Sequence, residues 1–361
     1  MLRSALSTLF LATLASAQSN YDFAILGSQS NFTWTGTSSL GAIVGNPSNQ
    51  FRLEGGLVVT MGATAGTPDL VGIVGGNALV TPDIRGRINN PLPFLPPVAT
   101  LEINGLTLSP SAPPVAVAPG GAFAGSLTLT ATSGTLTVSP LGGTPTTTSM
   151  VGATSTPQST SGTLVRNGVL LQLALPINTT FPFSDPTTAT TGTFTVVGTM
   201  RAEYSLSKAY CFGDGTSGAC PCGNQSTTAS ASGCLNSTLA GGRLVGAGLA
   251  STAADSLSLS VSNLPATTTV LLFQGTTATA AAFGDGLRCA AGTILRLGTR
   301  TTSAGAASWP GTGGAPNLSA IGAIPTAGGV RTYQAWYRNS ASFCTPSVFN
   351  LTNGLQVTWL P

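Results

Sequence analysis

The chain has 361 residues, of which 6% are charged: 13 basic and 10 acidic side chains, with no histidine. A net charge of +3 spread so thinly excludes the dense basic stripe by which proteins hold nucleic acid. The lack of imidazole excludes histidine-based triads and dyads, and histidine-ligated catalytic zinc with them.

Residues 1–17 read as an export signal, with Arg3 as the positive end, an apolar stretch from Ala5 to Leu14, and Ala15-Ser16-Ala17 as the cleavage site. The mature chain is then expected to begin at Gln18. Thr, Ser, Gly and Pro break every later apolar run before the eighteen or so residues that a membrane span requires, so no membrane span is expected. The expected product is secreted, extracellular or held at the cell surface.

From Gln18 onward helical periodicity is absent, and short alternating runs bounded by Gly, Pro, Asn and Ser recur. This pattern predicts an all-β chain of two antiparallel β-domains, residues 18–208 as a sandwich or barrel and residues 209–361 as a disulfide-stapled sandwich. Frequent turns favour the sandwich. Within the first domain Phe123, Gly125, Leu127, Leu129 and Ala131 alternate along one strand face. Asn104-Gly105 and Asn167-Gly168 read as two-residue hairpin turns, as does Asn353-Gly354 further on. The Pro-rich stretches 91–97 and 110–119 are expected as loops or edges, because proline donates no ladder bond.

Asp83, in Thr81-Pro82-Asp83-Ile84-Arg85-Gly86-Arg87, reads as a turn aspartate neutralised by Arg85 or Arg87. A carboxylate-based hydrolase, which needs only two acids, is the enzyme class left open. Otherwise the composition points to a non-enzyme. The join between domains falls near Ser207–Tyr210 and contains Lys208, the one lysine of the chain.

All six cysteines follow the join: Cys211, Cys220, Cys222, Cys234, Cys289 and Cys344. In an exported chain they imply a disulfide framework. Their spacing suggests a Cys289–Cys344 bridge, with the first four closing one local loop. Asp214 and Asp285 sit in a repeated Phe-Gly-Asp-Gly and are the candidates for a calcium site. That ion wants six to eight oxygens, and acids are scarce here, so turn roles and no cofactor are the expectation. On the strand 330–338, Tyr333 and Tyr337 share one face and form a candidate ligand platform, while Gln334 and Trp336 share the other. Trp336 is expected to be buried.

Several ordered phrases recur between Tyr210 and Trp359: Cys211-Phe212-Gly213-Asp214-Gly215, Cys220-Pro221-Cys222-Gly223-Asn224, Phe283-Gly284-Asp285-Gly286-Leu287-Arg288-Cys289 and Tyr333-Gln334-Ala335-Trp336-Tyr337-Arg338. By these phrases the segment resembles a C-terminal module of large secreted proteins of environmental bacteria. The resemblance implies an exported accessory module attached to varied partners, and it brings no catalytic residues with it.

Two functions from different classes follow as expectations. One is a non-catalytic secreted or cell-surface protein acting by adhesion or assembly with surface proteins. The other is an extracellular carbohydrate-binding or polysaccharide-acting protein with a glycan partner. Low surface charge favours the first, because it weakens the repulsion that keeps molecules apart.

Overall fold

A computed structural model describes residues 18–185, 190–310, 315–340, 343 and 345–361. The expected export signal lies outside the described residues. Within them the chain is almost wholly antiparallel β-structure, as the alternation predicts.

Twelve strands form the first sheet. They are β1 (Ser19–Ile25), β2 (Asn31–Ser38), β3 (Gly41–Gly45), β4 (Gln50–Thr64), β5 (Thr67–Thr81), β6 (Ile84–Ile88), β7 (Ala99–Ala116), β8 (Ala122–Pro140), β9 (Thr146–Ser149), β10 (Gln158–Asn167), β11 (Leu170–Asp185) and β12 (Thr190–Ser205). Their pairing decides between sandwich and barrel. Ladders lead from β1 through β4, β5, β7, β8, β10 and β11 to β12, and β12 pairs back onto β1 at Ala24↔Glu203. Eight strands therefore close a ring, which leaves none of the eight as a bare edge. β2, β3 and β6 bridge β12 to β7 at one end, and β9 lies outside β8.

The strands are longer than the turn signals suggest, up to 19 residues in β8. Glycines that read as turns fall on bulges instead: Gly105, at φ +61°, sits where the β7–β8 register shifts after Asn104. Asn104-Gly105 is therefore no hairpin. Asn167-Gly168 is one, displaced by a residue: Asn167 pairs with Leu170, leaving Gly168 and Val169 as the turn.

Pro110, Pro113 and Pro114 also depart from expectation, standing in β7 between β5 and β8 rather than in a loop or edge. Toward β5 the register jumps from Ile73↔Ala112 to Val71↔Val115, so Pro113 and Pro114 lie where that ladder needs no donor. Phe23, Trp34, Leu57, Leu127, Leu171 and Leu175 are among the buried residues that fill the barrel.

Sheet membership changes at Leu206. The second half contains β13 (Ser207–Tyr210), β14 (Arg243–Ala247), β15 (Ser258–Ser262), β16 (Thr269–Gly275), β17 (Thr277–Phe283), β18 (Gly286–Ala291), β19 (Leu295–Thr301), β20 (Ala307–Trp309), β21 (Gly329–Arg338), β22 (Phe349–Leu351) and β23 (Gly354–Trp359). Its main sheet runs β13-β23-β21-β16-β19, with β22 beside β21. Leu259, Val261 and Trp309 of the small β14-β15-β20 sheet pack against Val270, Leu272, Tyr333 and Tyr337 of the main one, giving two layers over one core.

Asn353-Gly354 makes no hairpin either, because β22 and β23 both lie antiparallel to β21, one after the other. Between them the Asn353 side chain takes over the role of backbone, accepting from the Leu244 amide at 2.8 Å and donating to the Leu244 carbonyl at 3.1 Å.

The two halves are locked together at one pole of the barrel. Leu360 belongs to the barrel core, the Gly66 amide of the β4–β5 turn donates to the Pro361 carbonyl at 3.0 Å, and the Tyr204 and Thr358 hydroxyls share a 2.7 Å hydrogen bond.

The disulfides correct the spacing argument. Cys289 is bonded to Cys211, not to Cys344, and Cys220 is bonded to Cys234. Cys222 is disulfide-bonded too, and Cys344 lies outside the described residues. Distance along the chain misled because β18 carries Cys289 back against the join: the Tyr210 hydroxyl donates to the Cys289 carbonyl at 2.7 Å, beside Cys211.

Candidate functional site

The strand β21 organises the second half, and its face from Tyr333 through Ala335 to Tyr337 is wholly covered. Tyr333 and Tyr337 are fully buried, which overturns the platform expected there. Tyr333 Oη accepts a hydrogen bond from Trp359 Nε1 at 2.8 Å and Tyr337 Oη one from Asn236 Nδ2 at 3.1 Å. Burial raises the pKa of both phenols above the ordinary tyrosine range, and it pushes Tyr210 up to about 12.

The opposite face of β21 holds the open surface. Gln334 is buried there, its Oε1 accepting from the Cys289 amide at 2.8 Å while its Nε2 donates to the Leu287 and Thr352 carbonyls at 2.8 and 2.7 Å. One amide thus binds β18 and the β22–β23 junction onto β21. Two residues on, Trp336 is half-buried rather than buried.

Trp336 forms one wall of a cleft of about 420 Å³ also lined by Leu271, Phe273, Phe283, Ile294 and Leu351, by the half-buried Arg288 and by the exposed Arg296. Phe349 props the tryptophan from behind, with ring centroids 5.5 Å apart, and Phe283 leans on Phe349 at 5.0 Å. The Arg338 guanidinium lies 5.7 Å from the Trp336 ring centroid, within cation–π range. Two arginines and no carboxylate line this cleft among the described residues. An apolar cavity with cationic donors in its lining suits an apolar group followed by hydrogen-bond acceptors.

The two aspartates of the repeated motif have parted roles. Asp285 is fully buried; its Oδ1 accepts from the Thr345 amide and hydroxyl, both at 2.8 Å, and its carbonyl accepts from Asn224 Nδ2. Asp214 is half-buried, and its Oδ1 accepts from the Thr216 hydroxyl at 2.5 Å and amide at 3.0 Å. Those bonds from Thr216, the hydroxyl first, hold its carboxyl below the usual aspartate value. Asp214 closes its own turn, the role sequence reasoning set against a calcium site, whereas the Asp285 carboxylate departs from that expectation and ties its loop to Thr345, sixty residues on. Among the described residues no three His, Cys, Asp or Glu side chains are grouped as a metal would need.

A groove with polar walls lies on the barrel where β2 pairs with β4. It has a cavity of about 470 Å³ walled by Asn31, Thr33, Gln50 and Arg52 over Phe32 and Phe51, and it adjoins one of about 360 Å³ with Asn46, Asp83 and Arg85. Asp83 Oδ1 accepts from the Gly105 amide at 2.9 Å, while Arg85 lies 3.9 Å from Glu102 instead.

Sequence reasoning missed the cleft by misjudging Trp336. The signal was present: Arg338 has the same strand parity, and a charged residue marks a face that reaches water. No family model, curated protein or solved structure matches this chain.

Proposed function

We propose that this chain is an exported, non-catalytic surface or matrix protein that acts by adhesion or assembly, with the Trp336 cleft as its docking site. The observation that carries the reading is the lining of that cleft: apolar walls, two arginines, and no acid, base or nucleophile set for bond cleavage. The disulfides suit an oxidising extracellular compartment, and no helix among the described residues is long and apolar enough to cross a membrane. The export signal and the resemblance to a module of secreted bacterial proteins support the same compartment.

The test is retention of the purified chain on sensors coated with surface protein and polysaccharide fractions of the producing cells. Wild type should be retained without releasing reducing sugar, and Trp336→Ala and Arg296→Glu should each lose retention. Equal retention of all three, or sugar release by wild type, overturns the reading.

A carbohydrate-binding role rests on the barrel groove, where amide, hydroxyl and guanidinium groups over aromatic rings suit sugar hydroxyls. A glycan array separates the two: glycan binding lost in Gln50→Ala but kept in Trp336→Ala assigns the activity to the barrel.

A further inference from the structure

At the pole of the barrel away from the second half, the loop between β6 and β7 projects an apolar tip. The strand β7 starts there and ends beside the other pole, where Ala116 pairs with Leu70. Four of the seven residues from Pro91 to Pro97 are proline, and no charged residue occurs between Arg87 and Glu102. A turn closed by the Leu95 amide on the Leu92 carbonyl, at 3.0 Å, holds Phe94 out at 78% exposure. Leu92 and Leu95 flank it, and Leu141, tied by its amide to the Val98 carbonyl, adds a fourth exposed apolar side chain.

We propose that this loop of one molecule docks into the Trp336 cleft of a second copy, so that the chain assembles head to tail. The inference rests on the reading of the cleft as a docking site and names its occupant. Three observations favour a second copy.

The cleft has room for the Phe94 ring and a neighbouring leucine, and Trp336, Phe273 and Phe283 give it aromatic walls like those of the grooves that receive proline-rich segments elsewhere. The hydrogen-bonding needs also match. Proline lacks an N–H, and of the three amides left in the loop, Leu92 and Leu95 already donate to Asn90 Oδ1 and to the Leu92 carbonyl. The loop therefore presents a surplus of carbonyl acceptors, and the cleft is lined by the exposed Arg296 and by Arg288, whose Nε donates to the Ala290 carbonyl at 3.0 Å, side chains that can only donate. Finally, loop and cleft belong to opposite ends of one molecule with the barrel between them, so each is offered to a neighbour. Two different patches meeting in this way make a heterologous contact that propagates instead of closing into a dimer.

Sedimentation velocity across a concentration series tests this, with Phe94→Asp on the loop and two cleft variants, Trp336→Ala and the exposed Arg296→Glu. Wild type should form a concentration-dependent series of oligomers, and each variant alone should weaken association at least tenfold. Phe94→Asp keeps its cleft and Arg296→Glu keeps its loop, so mixing them should yield a capped 1:1 heterodimer and nothing larger. Association of Phe94→Asp equal to wild type, or a mixture with no heterodimer, overturns the proposal. A monomeric wild type that still shows Trp336-dependent retention on the coated sensors overturns head-to-tail assembly and leaves the docking reading standing; loss of both ends both. Co-sedimentation with lipid vesicles that is lost in Phe94→Asp and kept in Arg296→Glu would assign the loop to a lipid surface, which also overturns the proposal.

Discussion

Replacing Cys211 and Cys289 together by serine opens a closure of 78 residues, whereas replacing Cys220 and Cys234 opens one of 14. In the loop-entropy description the first crosslink restricts the unfolded chain by about 4.5 kcal/mol and the second by about 3 kcal/mol at room temperature. A loss of about 4.5 kcal/mol lowers the melting point of a unit of about 150 residues by roughly 10–18 °C. The Cys211–Cys289 variant should therefore melt first, and its early transition should carry the near-ultraviolet signal of Trp309, Trp336 and Trp359, while Trp34 in the barrel reports a later one. Scanning calorimetry with circular dichroism on both double-serine proteins provides the measurement, after peptide mapping without reductant has verified the two pairs. If the Cys220–Cys234 variant proves the less stable of the two, or if both lose less than about 1 kcal/mol, chain restriction is not what these bridges supply.

Gln334→Leu should cost about 3–5 kcal/mol in urea unfolding, because the Cys289 amide and the Leu287 and Thr352 carbonyls all lose a partner around a fully buried side chain. A cost under about 1 kcal/mol would show that these groups find other partners. Raised tyrosine values have a defined sign: the unfolded chain ionises its phenols near pH 10, the folded one holds Tyr210 neutral to about 12 and Tyr333 and Tyr337 higher still. The stability they contribute is full below pH 10 and lost as pH rises through 12, so the urea midpoint should fall above pH 10 as tyrosinate absorbance appears. Tyrosinate formation by all five phenols at pH 10 in the folded protein would contradict this. Gly284→Ala should shift Trp336 emission, because Gly284 sits at φ +60° against the Phe349 ring that props the tryptophan. Unchanged emission in a folded variant would disconnect the motif glycine from the cleft.

Much of the architecture was legible because period-2 alternation is a local signal. Phe123, Leu127, Leu129 and Ala131 lie buried along β8, and Leu257, Leu259 and Val261 do so at and within β15. Ring closure was not legible, since it depends on Ala24 meeting Glu203 across 179 residues, and no local pattern encodes that meeting. Turn chemistry misled for a related reason: Gly105 accepts positive φ equally well in a bulge, and the long strands required bulges. At the cleft, strand parity correctly separated Tyr333 and Tyr337 from Trp336, but the face that meets water was marked only by Arg338, which shares the parity of Trp336. The asparagines taught the opposite lesson. Asn224, Asn236 and Asn350 head sequons, which mark surface loops when they are used as acceptors, yet all three are buried and bond backbone across the second half.

The closed barrel also has a mechanical meaning. Tension between the Pro91–Pro97 loop and the second half enters along β7, which is paired with β8 through its first half and with β5 at its end, and leaves along β12, which is paired with β11 at sixteen successive positions. Pull directed along strands shears their ladder bonds together, whereas pull across them peels bonds one at a time. Chains linked pole to pole would thus be loaded in the direction in which the barrel yields slowest, and their lifetime under load would be set by the unfolding barrier more than by equilibrium stability.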